Sequence, residues 1–425
     1  MHELTELIRQ DMRPALGVTE PGAIAFAVST ACKHAPGIVQ QVTLRLNSGM
    51  FKNAFTCGIP GSSEVGNYHA AALGVVGADP DKGLECLDGI TPEQAEKAKA
   101  MVKAGKIKVE MSKITSRIFI EATVEATNGS ASVTIRDAHT NIVKITENGR
   151  TVFEKESAAA SEQDTVPLIH RYTLEQLHEY ALTVPAEEIR FIREAFELNY
   201  TLCNAGLENP KTTYSRYLLA QNGGKIISDD EQKTASLLCN AAIEARVIGL
   251  PDPAMSITGS GAHGIIATMP LYAAYKVNSY SEEKLLRATA LSYLVCMYIK
   301  EYSGKLSAFC GCAIAAGTGM ACGLVLLRDG TTKQMAQTIN NMASSITGMI
   351  CDGGNQGCTM KGVVAVDAAW QSVGMAMRDV FIYNVHGING ATPEQTMRNM
   401  GRIASPGMVG TEKTIVDILR DKKME

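Results

Sequence analysis

Two cysteines, Cys351 and Cys358, lie in the loop Gly348-Met349-Ile350-Cys351-Asp352-Gly353-Gly354-Asn355-Gln356-Gly357-Cys358-Thr359-Met360-Lys361. Glycine and amide side chains let such a loop turn tightly and aim N–H groups at thiolate sulfur, the usual surroundings of a sulfur-ligated metal centre. Cys310, Cys312 and Cys322 offer a third sulfur from the uncharged stretch 306–327. On one regular helix, Cys310 and Cys312 point roughly 200° apart, so only one of them faces a common centre. The Cys-x6-Cys spacing is neither a zinc-finger spacing nor the Cys-x2-Cys-x2-Cys of bacterial ferredoxins. Spacing alone therefore leaves both a metal site and core packing open. Cys32, Cys57, Cys86, Cys203, Cys239 and Cys296 sit singly and read as small buried hydrophobes. Eleven cysteines, an odd count in 425 residues, argue against a secreted disulfide framework.

Acid–base chemistry has four candidates: His139, His263, Lys305 and Glu20. His263 belongs to Gly259-Ser260-Gly261-Ala262-His263-Gly264, whose amides and Ser260 hydroxyl suit a substrate carboxylate. Its plainer role is a turn histidine, and that of His139 is a structural hydrogen bond. Lys305 heads the Cys310 stretch and also reads as a cap. Arg246 reads as a solvated arginine on a helix surface.

The elements that must position these groups follow from patterning. Apolar residues are 45% and charged residues 20% of the chain, as in a packed enzyme, and this excludes disorder. A net charge of −4 gives no basic field for nucleic acid. The charged amino terminus lacks a signal core and reads as an amphipathic helix of a cytoplasmic protein. The stretch 306–327 is long enough to span a bilayer. Its glycines, hydroxyls and cysteines keep it only modestly hydrophobic, so a buried or broken helix near the site is expected and no membrane span.

Thr19-Glu20-Pro21 reads as a turn before a helix through Val28. Thr91-Pro92-Glu93-Gln94 opens a helix that stops at Gly105. Period-two runs at 107–111, 118–124, 133–135 and 143–145 predict an antiparallel sheet, with hairpins at Asn128-Gly129 and Asn148-Gly149. Beyond a linker at 156–164, helix starts recur at Thr173, Pro185, Ser281 and Thr392. The expectation is an α+β protein: residues 1–160 form a helix and antiparallel-sheet domain, and residues 165–425 a mainly helical domain carrying the site. The small-residue helices suit a homodimer.

Leu306-Ser307-Ala308-Phe309-Cys310, Gly348-Met349-Ile350-Cys351-Asp352-Gly353 and Cys358-Thr359-Met360-Lys361 resemble the iron–sulfur L-cysteine desulfidase family, related to the alpha domain of iron–sulfur L-serine dehydratases. Further matches are Arg13-Pro14-Ala15-Leu16-Gly17, Thr19-Glu20-Pro21, Lys52-Asn53, His139-Thr140-Asn141-Ile142-Val143, Gly259-Ser260-Gly261 and Ala267-Thr268-Met269-Pro270. They run from residue 13 to residue 361, and as a set they are specific.

The resemblance implies a [4Fe–4S] cluster on Cys310, Cys351 and Cys358, with one iron open and no need for pyridoxal phosphate. Cys312 and Cys322 then revert to packing roles. Thr19, Glu20, Asn53, Asn141, Ser260 and Gly261 would bind a small amino acid, with His139, His263 and Lys305 as catalytic candidates. The implied reaction is α,β-elimination of L-cysteine to sulfide, ammonia and pyruvate. The alternatives are a related lyase or dehydratase acting on serine or another small amino or hydroxy acid, and a non-catalytic cluster-bearing protein. One departure stands out. The family motif reads Gly-Cys-Thr-Glu-Pro, its cysteine proposed for proton transfer, whereas this chain has Gly17-Val18-Thr19-Glu20-Pro21. Valine carries no proton, so another residue serves, the reaction differs, or activity is lost.

Overall fold

Asn148 and Gly149 both adopt positive φ (48° and 78°), the backbone of a type I′ turn whose twist matches that of the strands it joins. The computed structural model describes residues 1–155 and 166–422, so the expected linker at 156–164 lies outside the described residues. The strands are β1 Arg13–Leu16, β2 Val39–Leu46, β3 Ile107–Met111, β4 Phe119–Ala126, β5 Gly129–Arg136, β6 Ile142–Glu147, β7 Arg150–Glu154 and β8 Pro253–Ser256. Six form one open sheet in the order β3-β2-β4-β5-β6-β7. The four expected runs are all strands, and the fold is α+β.

The sheet is not wholly antiparallel. β3 runs parallel to β2, with Leu44 opposite Val109, instead of pairing with β4. The helix Pro92–Lys103 ahead of β3 carries the chain to the sheet edge beyond β2, as parallel neighbours require a crossover. The first hairpin also turns one residue early: Ala126 pairs with Gly129, so Thr127 and Asn128 form its tip.

Helix Thr19–His34 covers β4 and β5. It begins at Thr19, so Thr19-Glu20-Pro21 is the first helical turn, where proline's missing N–H removes no helical bond. Helix Gly66–Val76 lies close on top of it: a methyl group at Gly74 would come within 2.8 Å of the Ala25 carbonyl oxygen.

After residue 166 the chain is mainly helical. Helix Glu231–Val247 is buried continuously from Thr234 to Val247. It packs against Arg193–Glu208, Gly261–Asn278 and Gly357–Ala376. Helix Glu282–Ser303 lies against Gly317–Leu327, where Gly319 permits contact: a Cβ there would meet the Ser292 carbonyl oxygen at 2.2 Å. β1 and β8 form a separate antiparallel ladder that ties residues 13–16 to residues 253–256. No described helix is long and apolar enough to cross a membrane. The stretch 306–327 is indeed broken, into a loop, a π-helical turn Cys312–Ala316 and helix Gly317–Leu327.

Candidate active site

Cys310 and Cys351 come together through backbone. Phe309 and Ile350 form an isolated antiparallel bridge, with Cys310 N–H donating to Met349 O (2.8 Å) and Cys351 N–H to Ala308 O (2.9 Å). The loop after Cys351 then docks on helix Ser48–Asn53, Gly354 N–H donating to Asn53 O (3.0 Å). Gly353 must lack a side chain there, because a Cβ would lie 2.4 Å from Lys52 O. The loop ends at the start of helix Gly357–Ala376, whose first turn carries Cys358. Cys310, Cys351 and Cys358 line one pocket.

Cys312 lines it too, contrary to the helical-wheel expectation. Cys310 precedes the helix and Cys312 opens the π-helical turn, so a 100° step per residue does not apply between them. The neighbouring Cys312 thiol, together with burial, holds the Cys310 thiol well above its ordinary pKa. Burial pushes the Cys358 thiol up to about 11. Cys322 is enclosed in the core.

Several helix ends close the pocket. Glu20 stands in the first turn of Thr19–His34, Ser260 is the N-cap residue of Gly261–Asn278, and His263 lies in that helix's first turn. Helix starts present unpaired N–H groups and a positive dipole end, which favour anions. Positive side chains add to this. Lys300, in the last turn of Glu282–Ser303, is buried, and its Nζ donates to Lys305 O and Ser307 Oγ, both at 3.2 Å. Burial lowers its pKa against the pull of the surrounding thiols. Lys361 pairs with Asp352; burial works against its charge, but that hydrogen bond together with the charges of Asp352, Cys310 and Cys358 raises its pKa. Lys52 is fully buried beside Cys351 and pairs with Glu412 (2.7 Å), tying helix Val409–Asp421 to the site.

His263 is fixed by a strained turn. Thr258 and Gly259 both have positive φ (51° and 78°), an uncommon backbone for a β-branched residue. The Thr258 hydroxyl donates to Ile257 O (2.7 Å) and lies 2.5 Å from His263 Nδ1. Nδ1 therefore carries the proton and donates, leaving Nε2 a free lone pair. Nε2 looks toward Gly311, where an added methyl would sit 2.8 Å from it and 3.0 Å from Lys300 Nζ. Burial, then the Lys300 charge, lowers the His263 pKa to about 3, so its imidazole is neutral at pH 7.

Of the sequence-predicted residues, the pocket gathers Glu20, Asn53, Ser260, His263, Lys305 and the three cysteines. His139 sits just behind, its Nε2 unbonded and 3.9 Å from Glu20 Oε1. Burial lowers its pKa. Thr19 is buried outside the lining, and Gly261 backs onto Arg246. Asn141 is not among the lining residues: it donates to Arg136 O (2.9 Å) and accepts from Lys155 Nζ (2.6 Å). Val18 faces the pocket and touches the cysteine loop, its Cγ1 2.9 Å from where a Gly354 Cβ would lie.

Sequence reasoning missed two cations. Lys300 drew no attention, and Arg246 is 4% exposed and lines the pocket instead of meeting solvent. Its helix is buried on every side from Thr234 onward, a signal the sequence did carry in Ala241-Ala242-Ile243 and Ala245. Among the described residues, no three His, Cys, Asp or Glu side chains close on a single metal ion.

Known proteins match this chain over nearly its whole length. The family model described as serine dehydratase alpha chain matches residues 81–417. A UPF0597 protein of Clostridium botulinum (strain Hall) is 41% identical over 422 residues, covering 98% of each chain. UPF0597 proteins of Caldanaerobacter subterraneus and Aeromonas hydrophila are 36% and 37% identical, covering 99% and 98% of this chain and 98% and 95% of their own. The chain therefore belongs to the serine dehydratase alpha chain family, among its UPF0597 relatives.

Proposed function

We propose that this protein is an iron–sulfur lyase that eliminates sulfide from L-cysteine, giving ammonia and pyruvate. The observation that carries this reading is the gathering of four thiols, Cys310, Cys312, Cys351 and Cys358, on one pocket with buried cations beside them. Soft thiolates suit iron–sulfur chemistry. Cys310, Cys351 and Cys358 would hold a [4Fe–4S] cluster. Such a cluster, with one iron free of protein ligands, supplies a Lewis acid for the carboxylate and leaving group of the substrate. Lys300 and Lys361 offset the negative charge of the thiolates.

The elimination balances as follows. The Cα proton passes to a base, a Cα–Cβ double bond forms, and the Cβ–S electron pair leaves with sulfur, which departs as sulfide. The resulting 2-aminoacrylate tautomerises to an imine, and one water hydrolyses it to pyruvate and ammonia. His263 is the base of choice because its Nε2 lone pair faces the pocket while Thr258 fixes its tautomer. Thiolate charge brought close would raise its pKa toward the working range. Val18 puts an apolar group at the family's cysteine position, and this favours the second reading, a lyase or dehydratase for serine or another small amino or hydroxy acid.

The test is anaerobic purification, iron and acid-labile sulfide analysis, and a screen of β-substituted amino acids for ammonia and 2-oxoacid release. L-Cysteine is expected to turn over best, and serine turning over faster would move the assignment to the second reading. A loaded cluster with no turnover of any such substrate would sink the lyase. Cys310→Ser, Cys351→Ser and Cys358→Ser should each lose iron, and retained iron in all three would refute the ligand set.

A further inference from the structure

We propose that Arg246 and Glu20 form the two poles of an α-amino-acid clamp, Arg246 taking the α-carboxylate and Glu20 the α-ammonium. The proposal deepens the lyase reading and rests on it for the substrate class.

Arg246 is the stronger half of the argument. It stands in the last turn of helix Glu231–Val247, 4% exposed, and among the described residues its guanidinium has neither a hydrogen bond nor an ion pair. Nε is fully buried and unpartnered, whereas the two terminal nitrogens are unbonded but not sealed. A buried guanidinium normally has a carboxylate or carbonyl to hold. Here the five-donor fork is left for a ligand, and it suits a carboxylate bidentately.

Gly261 makes the route. A Cβ at Gly261 would lie 2.7 Å from Arg246 Nε and 3.2 Å from its Cδ, with Ala254 Cβ at 3.0 Å on another side. The absent side chain leaves the channel through which Arg246 reaches the pocket wall. Ser260, whose hydroxyl makes no capping bond, and the helix start beside it add donors for the same carboxylate.

Glu20 is the opposite pole. It is buried, its Oε1 accepts from Asn53 Nδ2 (2.8 Å), and its Oε2 has no hydrogen bond among the described residues. Glu20 and Arg246 line one pocket without pairing to each other, lying beyond ion-pair distance. Two opposite charges held apart in one enclosure match a zwitterion, and a simple carboxylic acid or amine satisfies only one of them.

The experiment is calorimetric binding to the anaerobically purified protein, using L-alanine, propionate and ethylamine. L-Alanine carries both charged groups and no leaving group, so it binds without turnover. It should bind at least about 30-fold more tightly than either single-charge probe, the scale of one buried charged contact. Arg246→Met should weaken L-alanine by about the same factor with iron content unchanged, and Gly261→Ala should do likewise with the guanidinium retained. Glu20→Gln should abolish the preference for L-alanine over propionate. If Arg246→Met fails to fold, Arg246→Lys, which keeps charge but loses the fork, serves in its place. Wild-type affinity in both Arg246 variants, or propionate binding as well as L-alanine, overturns the clamp. Turnover of L-cysteine with KM unaltered by Arg246→Met removes the clamp and leaves the lyase. Binding of L-alanine through both poles with no turnover of any amino acid does the reverse.

Discussion

Glu244 and Arg246 lie two residues apart on one helix, both inside the protein, yet they are in opposite electrostatic situations. Glu244 accepts from the backbone N–H groups of Thr213 (2.7 Å), Tyr214 (3.1 Å) and Ser215 (2.7 Å) and from the Ser215 hydroxyl (2.6 Å). It thereby caps helix Tyr214–Gln221 from another part of the chain. Arg246 has none of this. Burial alone does not separate a structural charge from a functional one; satisfaction does. A charge that folding has already paired holds the structure together, and one that folding leaves open is directed at a ligand.

The contrast can be broken most directly at Glu244. Glu244→Ala should leave buried donors without an acceptor and cost about 3–5 kcal/mol, read by urea unfolding. A loss under about 1 kcal/mol would mean that these bonds do not anchor the helix. Glu412→Ala should cost somewhat less, about 2–4 kcal/mol, because it strands Lys52 while also removing an unbonded carboxylate oxygen. Iron retention measured alongside would show whether the Cys351 side of the pocket moves with it.

Acid titration sharpens the same comparison at His263. Its pKa is near 3 when folded and about 6.5 when exposed, so below pH 6.5 the unfolded chain binds the proton that the folded chain refuses. Stability should fall as pH drops from 6.5 toward 3, and His263→Asn should flatten that slope in pH-dependent thermal melts. An unchanged slope would remove His263 as its source. The smallest stability effect is expected at Arg246. Arg246→Met should change unfolding free energy by less than about 1 kcal/mol, or raise it, because an unpaired buried charge stabilises little. A loss comparable to that of Glu244→Ala would show that the two residues do the same job.

Much of the local structure was legible in the sequence. The helix start at Thr91, the capping box at Thr173 and the Asn148-Gly149 turn form as expected, because each depends on a few adjacent residues. The cysteines of interest were legible by loop chemistry and by family resemblance. What was not legible depends on distant contacts. β3 takes its place beside β2 through a crossover, not a hairpin. Cys312 turns toward the pocket because the chain opens into a π-helical turn at that point. Arg246 does not meet solvent as expected, because a solvated arginine needs an exposed helix face and helix Glu231–Val247 has none after Lys233. The role of Gly261 as a passage for Arg246 could be seen only once helix Gly261–Asn278 lay against its neighbour.

The bridge between Phe309 and Ile350 bears on what a substitution in the pocket leaves intact. Main-chain hydrogen bonds set the backbone of Cys310 beside that of Cys351, and main-chain docking on Asn53 fixes the loop that leads to Cys358. In a zinc finger the metal organises the chain, and ligation and folding are one event. Here the contacts that join the cysteine-bearing segments are main-chain hydrogen bonds, which a change of side chain at any one cysteine leaves in place.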